Sequence, residues 1–154
     1  MSIEKVKKYL SKYNLDNRII VLDKSSATVQ EAALALGCEP KLIAKSLTFY
    51  VPNPILILAA GDARIDNSKF KGVFGIKATM IPVDEVEEVI GFKVGGVCPF
   101  GSNENVKIYL DDSLKRFEYV YPACGSANSA IKLSIKELEG CIKFEKWIDV
   151  CKLP

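Results

Sequence analysis

Lys45-Ser46-Leu47-Thr48-Phe49-Tyr50-Val51, then Pro52-Asn53-Pro54, then Ile55-Leu56-Ile57-Leu58-Ala59-Ala60: two runs rich in apolar, β-branched and aromatic residues flank three turn formers. Runs of this kind read as strands, and the Pro-Asn-Pro link is too short for anything but a hairpin or near-hairpin. The pair is therefore expected at the middle of a sheet.

Around that hairpin the punctuation is regular. Upstream, Thr28-Val29-Gln30-Glu31 has the form of a capping box; Val29, Ala32, Ala33 and Leu36 follow on one face, and Gly37 ends the helix. Glu39-Pro40 restarts a short helical turn through about Ala44, with proline at a tolerated first position. Before these, Ser2 to Tyr13 reads as a helix capped by Ser2, with Ile3, Val6 and Leu10 on one face and Lys5, Lys7, Lys8 and Lys12 mostly off it. Arg18 to Leu22 is a strand, and the 23–27 segment a polar loop.

Downstream, Gly61 to Arg64 is a turn, Asp66 caps a short helix through about Phe70, and Ile76 to Met80 is a strand candidate. Pro82 and Asp84 open a helix that stops at Gly91. Val106 to Leu110 and Glu118 to Tyr121 are strands, separated by a short exposed piece at 114–117. Ile131 to Leu133 is a short strand, Ser134-Ile135-Lys136-Glu137 a second capping box whose helix ends at Gly140, and Ile142 to Ile148 a closing strand. Short strands interspersed with short helices make a mixed-sheet α/β or α+β fold, expected as one domain over residues 1–154.

Composition narrows the chemistry. The chain has 154 residues, a net charge of +2 and no histidine. Neither a Ser–His nor a Cys–His nucleophile pair can form, nor a Cys/His zinc site. The five cysteines are odd in number and lack a CxxC pair, which suits reduced thiols in a cytoplasmic protein. No segment reads as a signal peptide, and the longest apolar run, Ile55 to Ala60, is far too short to span a bilayer. There is neither a GxGxxG after a strand nor a GxxxxGK[ST]. No metal, cofactor or membrane partner is expected.

Two loops and one lysine stand out. Gly95-Gly96-Val97-Cys98-Pro99-Phe100-Gly101 packs three glycines and a proline into seven residues. Such a stretch is either a tight turn or a rigid row of backbone N–H groups able to hold an anion or a developing oxyanion. Cys124-Gly125-Ser126-Ala127-Asn128 is a second loop of small polar residues; Ser126 and Asn128 are loop formers or donors to the same cleft. Lys45, where a helical turn feeds the central strand, is either a solvated lysine or a cation facing a cleft and binding phosphate. Cys98 and Cys124 lack a visible base or cationic neighbour, which argues against a thiol nucleophile. Asp111 and Asp112 are adjacent, so on a strand they would point to opposite faces and could not share a proton.

Together these pieces resemble the YbaK/ProX family of aminoacyl-tRNA editing proteins. The resemblance runs through Thr28, Ala32-Ala33 and Leu36-Gly37, then Ile43-Ala44-Lys45-Ser46-Leu47, Gly61-Asp62, Gly91-Phe92, the 95–101 loop and the 124–128 loop. It implies a freestanding domain with a mixed, curved sheet that hydrolyses mischarged tRNA, usually tRNA for proline bearing cysteine or alanine. It implies that Lys45, Gly95 and Gly96 are catalytic. Val97, Cys98, Pro99, Phe100, Gly101, Gly125, Ser126 and Asn128 would line the pocket for the aminoacyl end. The acceptor end of tRNA is the implied partner, and prolyl-tRNA synthetase a further one. The chain departs from some relatives in having Ile19-Ile20-Val21 in place of an aromatic residue on the first strand, and Ser129-Ala130 in place of a carboxylate. Those departures leave the edited amino acid open. Two other readings stand beside the enzyme: a binding module of the same fold without turnover, and a thiol redox protein built on Cys98 or Cys124.

Overall fold

The computed structural model describes residues 2–154, which run α1 (Ser2–Ser11), β1 (Ile19–Val21), α2 (Val29–Leu36), β2 (Ile43–Tyr50), β3 (Pro54–Ala60), β4 (Arg64–Ile65), α3 (Asn67–Phe74) and α4 (Val83–Ile90). They continue with β5 (Lys107–Asp111), β6 (Tyr119–Pro122), β7 (Ser129–Ile131), β8 (Leu133–Ser134), α5 (Ile135–Cys141), β9 (Trp147–Ile148) and β10 (Cys151–Lys152). Three 3-10 turns, Asp16–Arg18, Pro40–Leu42 and Asp112–Arg116, lie between them.

The hairpin forms the centre, as its composition predicts. The main sheet is a curved, mixed one of order β8-β6-β2-β3-β5-β9, so β2 and β3 are its third and fourth strands. Their antiparallel register runs from Ala44↔Ala60 to Tyr50↔Pro54. β6 joins β2 in parallel and β5 joins β3 in parallel, which needs crossovers and buries both faces of β3. Ile55 through Ala60 are accordingly fully or almost fully buried. On one face Phe49 stacks on Phe70 of α3 with centroids 4.9 Å apart, and Phe70 on Phe74 at 4.7 Å. By strand alternation Ser46 and Thr48 leave β2 from the other face.

The helix ends follow the sequence closely. Thr28 accepts from Glu31 N–H, and Gly37, Gly75 and Gly91 end α2, α3 and α4 in the left-handed conformation. Ser134 and Glu137 form a full reciprocal capping box on α5. At Thr28 the box is half made, because the Glu31 carboxylate meets the Thr28 hydroxyl instead of turning back to its N–H. Ser2 is itself helical in α1.

Four expectations are corrected. Ile76 to Met80 is not a strand; it touches β2 through one bridge, Phe49↔Met80, and Ile76 and Met80 stay exposed, so there is no buried face to order it. The 114–117 piece is not exposed throughout: Leu114 is fully buried on the Asp112–Arg116 turn, a period too short to read from four residues. Ile131 to Leu133 splits at Lys132, Ile131 pairing with Ile19 and Leu133 with Val120. The 142–148 run is a strand only at Trp147–Ile148, and Cys151–Lys152 instead pairs with Arg64–Ile65.

Arg18 ties α5 to the start of β1. Its guanidinium donates to both Glu137 carboxylate oxygens and, at 2.7 Å, to Lys132 O. The Arg18 hydrogen bond, reinforced by the Ser134 backbone N–H, holds the Glu137 carboxyl at about 2 against an ordinary 4.5. A depressed acid pKa gives stability that is complete above the unfolded value and lost as pH falls through the folded one. Both side chains are more than a third exposed, so the pair contributes under about 1 kcal/mol. Glu137→Gln keeps the capping geometry. It should melt slightly below wild type at pH 7, and the gap should close between pH 4.5 and about 2 in thermal melts across pH.

Candidate active site

A cavity of about 270 Å³ opens on the Ser46–Thr48 face of β2. Its walls are built from five places. β2 supplies Ala44, Ser46 and Thr48; the start of α2 and the loop before it supply Ser26, Ala27 and Val29. Ile81, Val83 and Val86 come from the entry and first turns of α4, and Ala123, Ser129 and Ala130 from the β6–β7 connection and β7 itself. Val94, Gly95 and Val97 supply the fifth. No aspartate or glutamate is among the lining residues, and Lys45 is the one charged residue among them.

Lys45 is half-buried on β2 opposite Ala59. Its ammonium donates to Gly61 O at 3.3 Å and to Ala63 O, the carbonyls of the turn that leaves β3. Burial lowers its pKa from the usual lysine value, partly opposed by the nearby Cys151 and Asp62. Among the described residues it makes no ion pair. Asp62 is committed elsewhere, to the Arg116 guanidinium at 2.6 and 3.1 Å, which holds its carboxyl below the usual carboxylate range. A lysine has three donors, so one remains after the two carbonyls.

The glycine-rich stretch divides. Gly95, at φ +96°, turns toward Ala27 and Ala127 and borders the cavity together with Val97. Gly96 lies backbone to backbone against Gly125: a Cβ there would be 2.6 Å from Gly125 C. Cys98 and Phe100 point into the core and are fully buried, and Gly101 sits against Lys5 and Tyr9 of α1. The row of free N–H groups expected from the sequence is shorter than seven residues, because Gly96 N–H donates to Lys93 O and Gly101 N–H to Pro99 O. Pro99 is not among the lining residues.

Gly125, Ser126 and Asn128 stand behind the cavity. The Asn128 side chain donates to Leu22 O at 3.1 Å, and Asn128 O accepts from Leu22 N–H. Ser126 Oγ donates to Asn128 Oδ1 at 3.0 Å and lies 2.6 Å from Ser129 Oγ. Ser26 N–H donates to Ala127 O at 2.6 Å. The second loop therefore fixes the 22–26 segment, and through it Ser26, above the cavity.

Sequence reasoning missed Ser26, Ser46, Thr48 and the apolar rim of Met80, Val83 and Val94. Two hydroxyl residues at alternate positions of a central strand were the available signal for Ser46 and Thr48, since alternation puts both on one face. Nothing local marks Ser26, whose place depends on contacts about a hundred residues away.

The thiols are kept from chemistry. Burial pushes Cys98 up to about 12 and raises Cys124 as well, and neither lines the cavity. Thiolate is then negligible at neutral pH. Cys98→Ala and Cys124→Ala should keep most of any hydrolytic activity and cost only about 1–2 kcal/mol of stability. Native protein should resist iodoacetamide at both positions by peptide mass analysis, whereas denatured protein reacts. Loss of turnover comparable to that of Lys45→Ala in either variant would point to a covalent thiol mechanism. Asp111, fully buried, accepts from Ser113 and Val150 N–H groups and so anchors two turns. Among the described residues no group of three His, Cys, Asp or Glu side chains could hold a metal ion, and no helix is long and apolar enough to cross a membrane.

Residues 23–141 match the family model for an aminoacyl-tRNA editing domain. The chain is 49% identical over 154 residues, 99% of its own length, to the uncharacterized protein YwhH of Bacillus subtilis, of which it covers 98%. It is also 34% identical over 90 residues to proline--tRNA ligase of Aquifex aeolicus, spanning 56% of this chain and 16% of that enzyme. Among solved structures it superposes with a TM-score of 0.86 and 30% identity on a candidate trans-editing enzyme for prolyl tRNA synthetase, covering 98% of this chain and 97% of that one.

Proposed function

Because the chain belongs to the aminoacyl-tRNA editing domain family, we propose that it is a trans-editing deacylase that hydrolyses the ester of a mischarged tRNA. The observation that carries this reading is the cavity itself: it is small, almost wholly uncharged, and sits between the Lys45 strand and the Gly95–Val97 edge. An aminoacyl ester is already activated, so the protein need not supply a strong nucleophile. It has to hold the acceptor end, seat the aminoacyl group and stabilise the oxyanion that forms at the carbonyl.

The parts divide as follows. The exposed apolar rim of Met80, Val83 and Val94 offers a dry surface for the face of the terminal base. The remaining ammonium proton of Lys45, which by strand alternation leaves β2 on the face opposite Ser46 and Thr48, serves a phosphate of the acceptor end. Backbone at Gly95, beside Val97, borders the reacting ester. A water, the ribose 2′-hydroxyl or the aminoacyl side chain attacks, which is compatible with a chain lacking histidine. The absence of lining carboxylates favours small, uncharged amino acids, cysteine and alanine on tRNA for proline among them. The similarity to proline--tRNA ligases supports prolyl-tRNA synthetase as the enzyme whose products it clears, and the cytoplasm as its place of work.

The test is a deacylation panel: tRNA for proline charged with alanine, cysteine, serine or proline, with wild-type protein in catalytic amounts. Multiple turnovers on a mischarged substrate, and none on the correctly charged one, are expected. Tight binding of every member without release of amino acid would make the protein a binding module.

A further inference from the structure

Among the described residues, Ser26 Oγ is the one buried side-chain polar atom without a hydrogen-bond partner. Ser26 is 8% exposed and lines the cavity. A buried hydroxyl left unpaired costs about 1–3 kcal/mol, and such a group in a native fold calls for a partner. Its backbone cannot turn it away, because Ser26 N–H is held by Ala127 O and that loop by Asn128 and Leu22. The neighbouring hydroxyl residues are differently placed: Thr28 Oγ1 caps α2, and Ser129 Oγ pairs with Ser126 Oγ.

We propose that Ser26 is a specificity residue whose hydroxyl bonds the side chain of the edited amino acid, so that the site prefers a β-hydroxyl aminoacyl group to alanine. This rests on the deacylase reading and narrows its substrate. The chemistry of the lining selects that partner. The α-ammonium of an aminoacyl ester is cationic and needs a carboxylate or water when desolvated, and no carboxylate lines this cavity. The ammonium therefore stays toward the open mouth. A neutral hydroxyl matches Ser26 as donor and acceptor, and Ser46 and Thr48 on the facing strand supply further neutral hydroxyls. A thiol is a weaker donor and acceptor, so cysteine should fall between serine and alanine. A site built to bond a hydroxyl also discriminates against the analogue lacking it, because the protein group is then left unpaired.

Two measurements test this together. The first is kcat/KM on seryl- and alanyl-tRNA for proline with wild type, Ser26→Ala and Ser26→Thr. The second is binding of amide-linked, non-hydrolysable 3′-seryl- and 3′-alanyl-aminoadenosine to the same proteins. Wild type should favour the seryl compounds about 10- to 30-fold, Ser26→Ala should bring that ratio to within about twofold of unity, and Ser26→Thr should restore part of it. Thermal melts establish that each variant is folded. An equal fall for both compounds would mean that Ser26 meets the shared ribose or amino group and would overturn the proposal, as would a wild-type ratio near one. Failure of wild type to hydrolyse any ester while the analogues still show the ratio would remove the deacylase reading and leave Ser26 as the selector.

Discussion

Lys45→Ala is expected to lower kcat/KM on a mischarged tRNA by about 10²–10³-fold, a loss of about 2–4 kcal/mol of transition-state stabilisation. The protein holds this ammonium half-buried, with two backbone carbonyls as partners and no ion pair among the described residues. Burial disfavours its charged form, so the folded chain bears a cost at neutral pH that is relieved only as pH rises through the lowered pKa. A cation kept at such a cost beside an uncharged cavity suits a charge used on substrate. Lys45→Met, near in length and neutral, should therefore be as impaired as Lys45→Ala while melting no lower than it. Lys45→Arg keeps charge but presents a planar fork to a place shaped for a point donor, and should be intermediate. Salt should weaken tRNA binding by wild type more steeply than by Lys45→Met. If Arg were as impaired as Ala while both bound tRNA normally, and the wild-type rate followed one group titrating near neutrality, Lys45 would be a proton-transfer base.

The central hairpin was legible because its signal is local: two β-forming runs and a proline-bounded turn need no distant partner to be recognised, and the burial of 55–60 follows from their composition. The caps at Thr28, Asp66 and Ser134 were legible for the same reason, each being a side chain bonding a backbone three residues on. What failed was structure defined by remote pairing. Cys151–Lys152 is a strand only because Arg64–Ile65 is beside it, and Leu114 is buried only because a five-residue turn aims it inward. The site divides along the same line. Lys45 and the glycine-rich loop stand out by local composition, and of them Lys45, Gly95 and Val97 border the cavity. Ser26 is an ordinary serine in a polar loop until Ala127, Asn128 and Leu22 fix it over the cavity. Cys98 and Phe100 share the composition of the loop but face the core, an orientation that a glycine-rich stretch, with no periodicity of its own, does not reveal.

Gly96→Ala is expected to be the most damaging small substitution of the two loops, costing about 3 kcal/mol or more of stability. Its Cβ would stand 2.6 Å from Gly125 C, 2.7 Å from Gly125 O and 2.7 Å from Ser126 N. All three are backbone atoms, so no rotamer change gives way and the two loops must separate. Gly125 cannot yield toward α1, since its own Cβ position already lies 2.7 Å from Val6 Cγ2 and 2.8 Å from Ser2 O. Separation would carry Gly95 and Val97 off the cavity edge and loosen the segment that holds Ser26, so turnover should fall with stability. Two other glycines isolate the cause. Gly37→Ala meets no atom within 4 Å but keeps a left-handed φ of +70°, and should cost about 1 kcal/mol from backbone strain alone. Gly140→Ala, in α5 with nothing within 4 Å, should be neutral or stabilise by up to about 1 kcal/mol through helix propensity. Urea denaturation of the three variants gives the ranking, and single-turnover deacylation at a temperature where Gly96→Ala remains folded gives the effect on the site. A Gly96→Ala protein as stable as Gly37→Ala, with wild-type turnover, would show that the two loops can part without consequence and that their contact does not hold the site together.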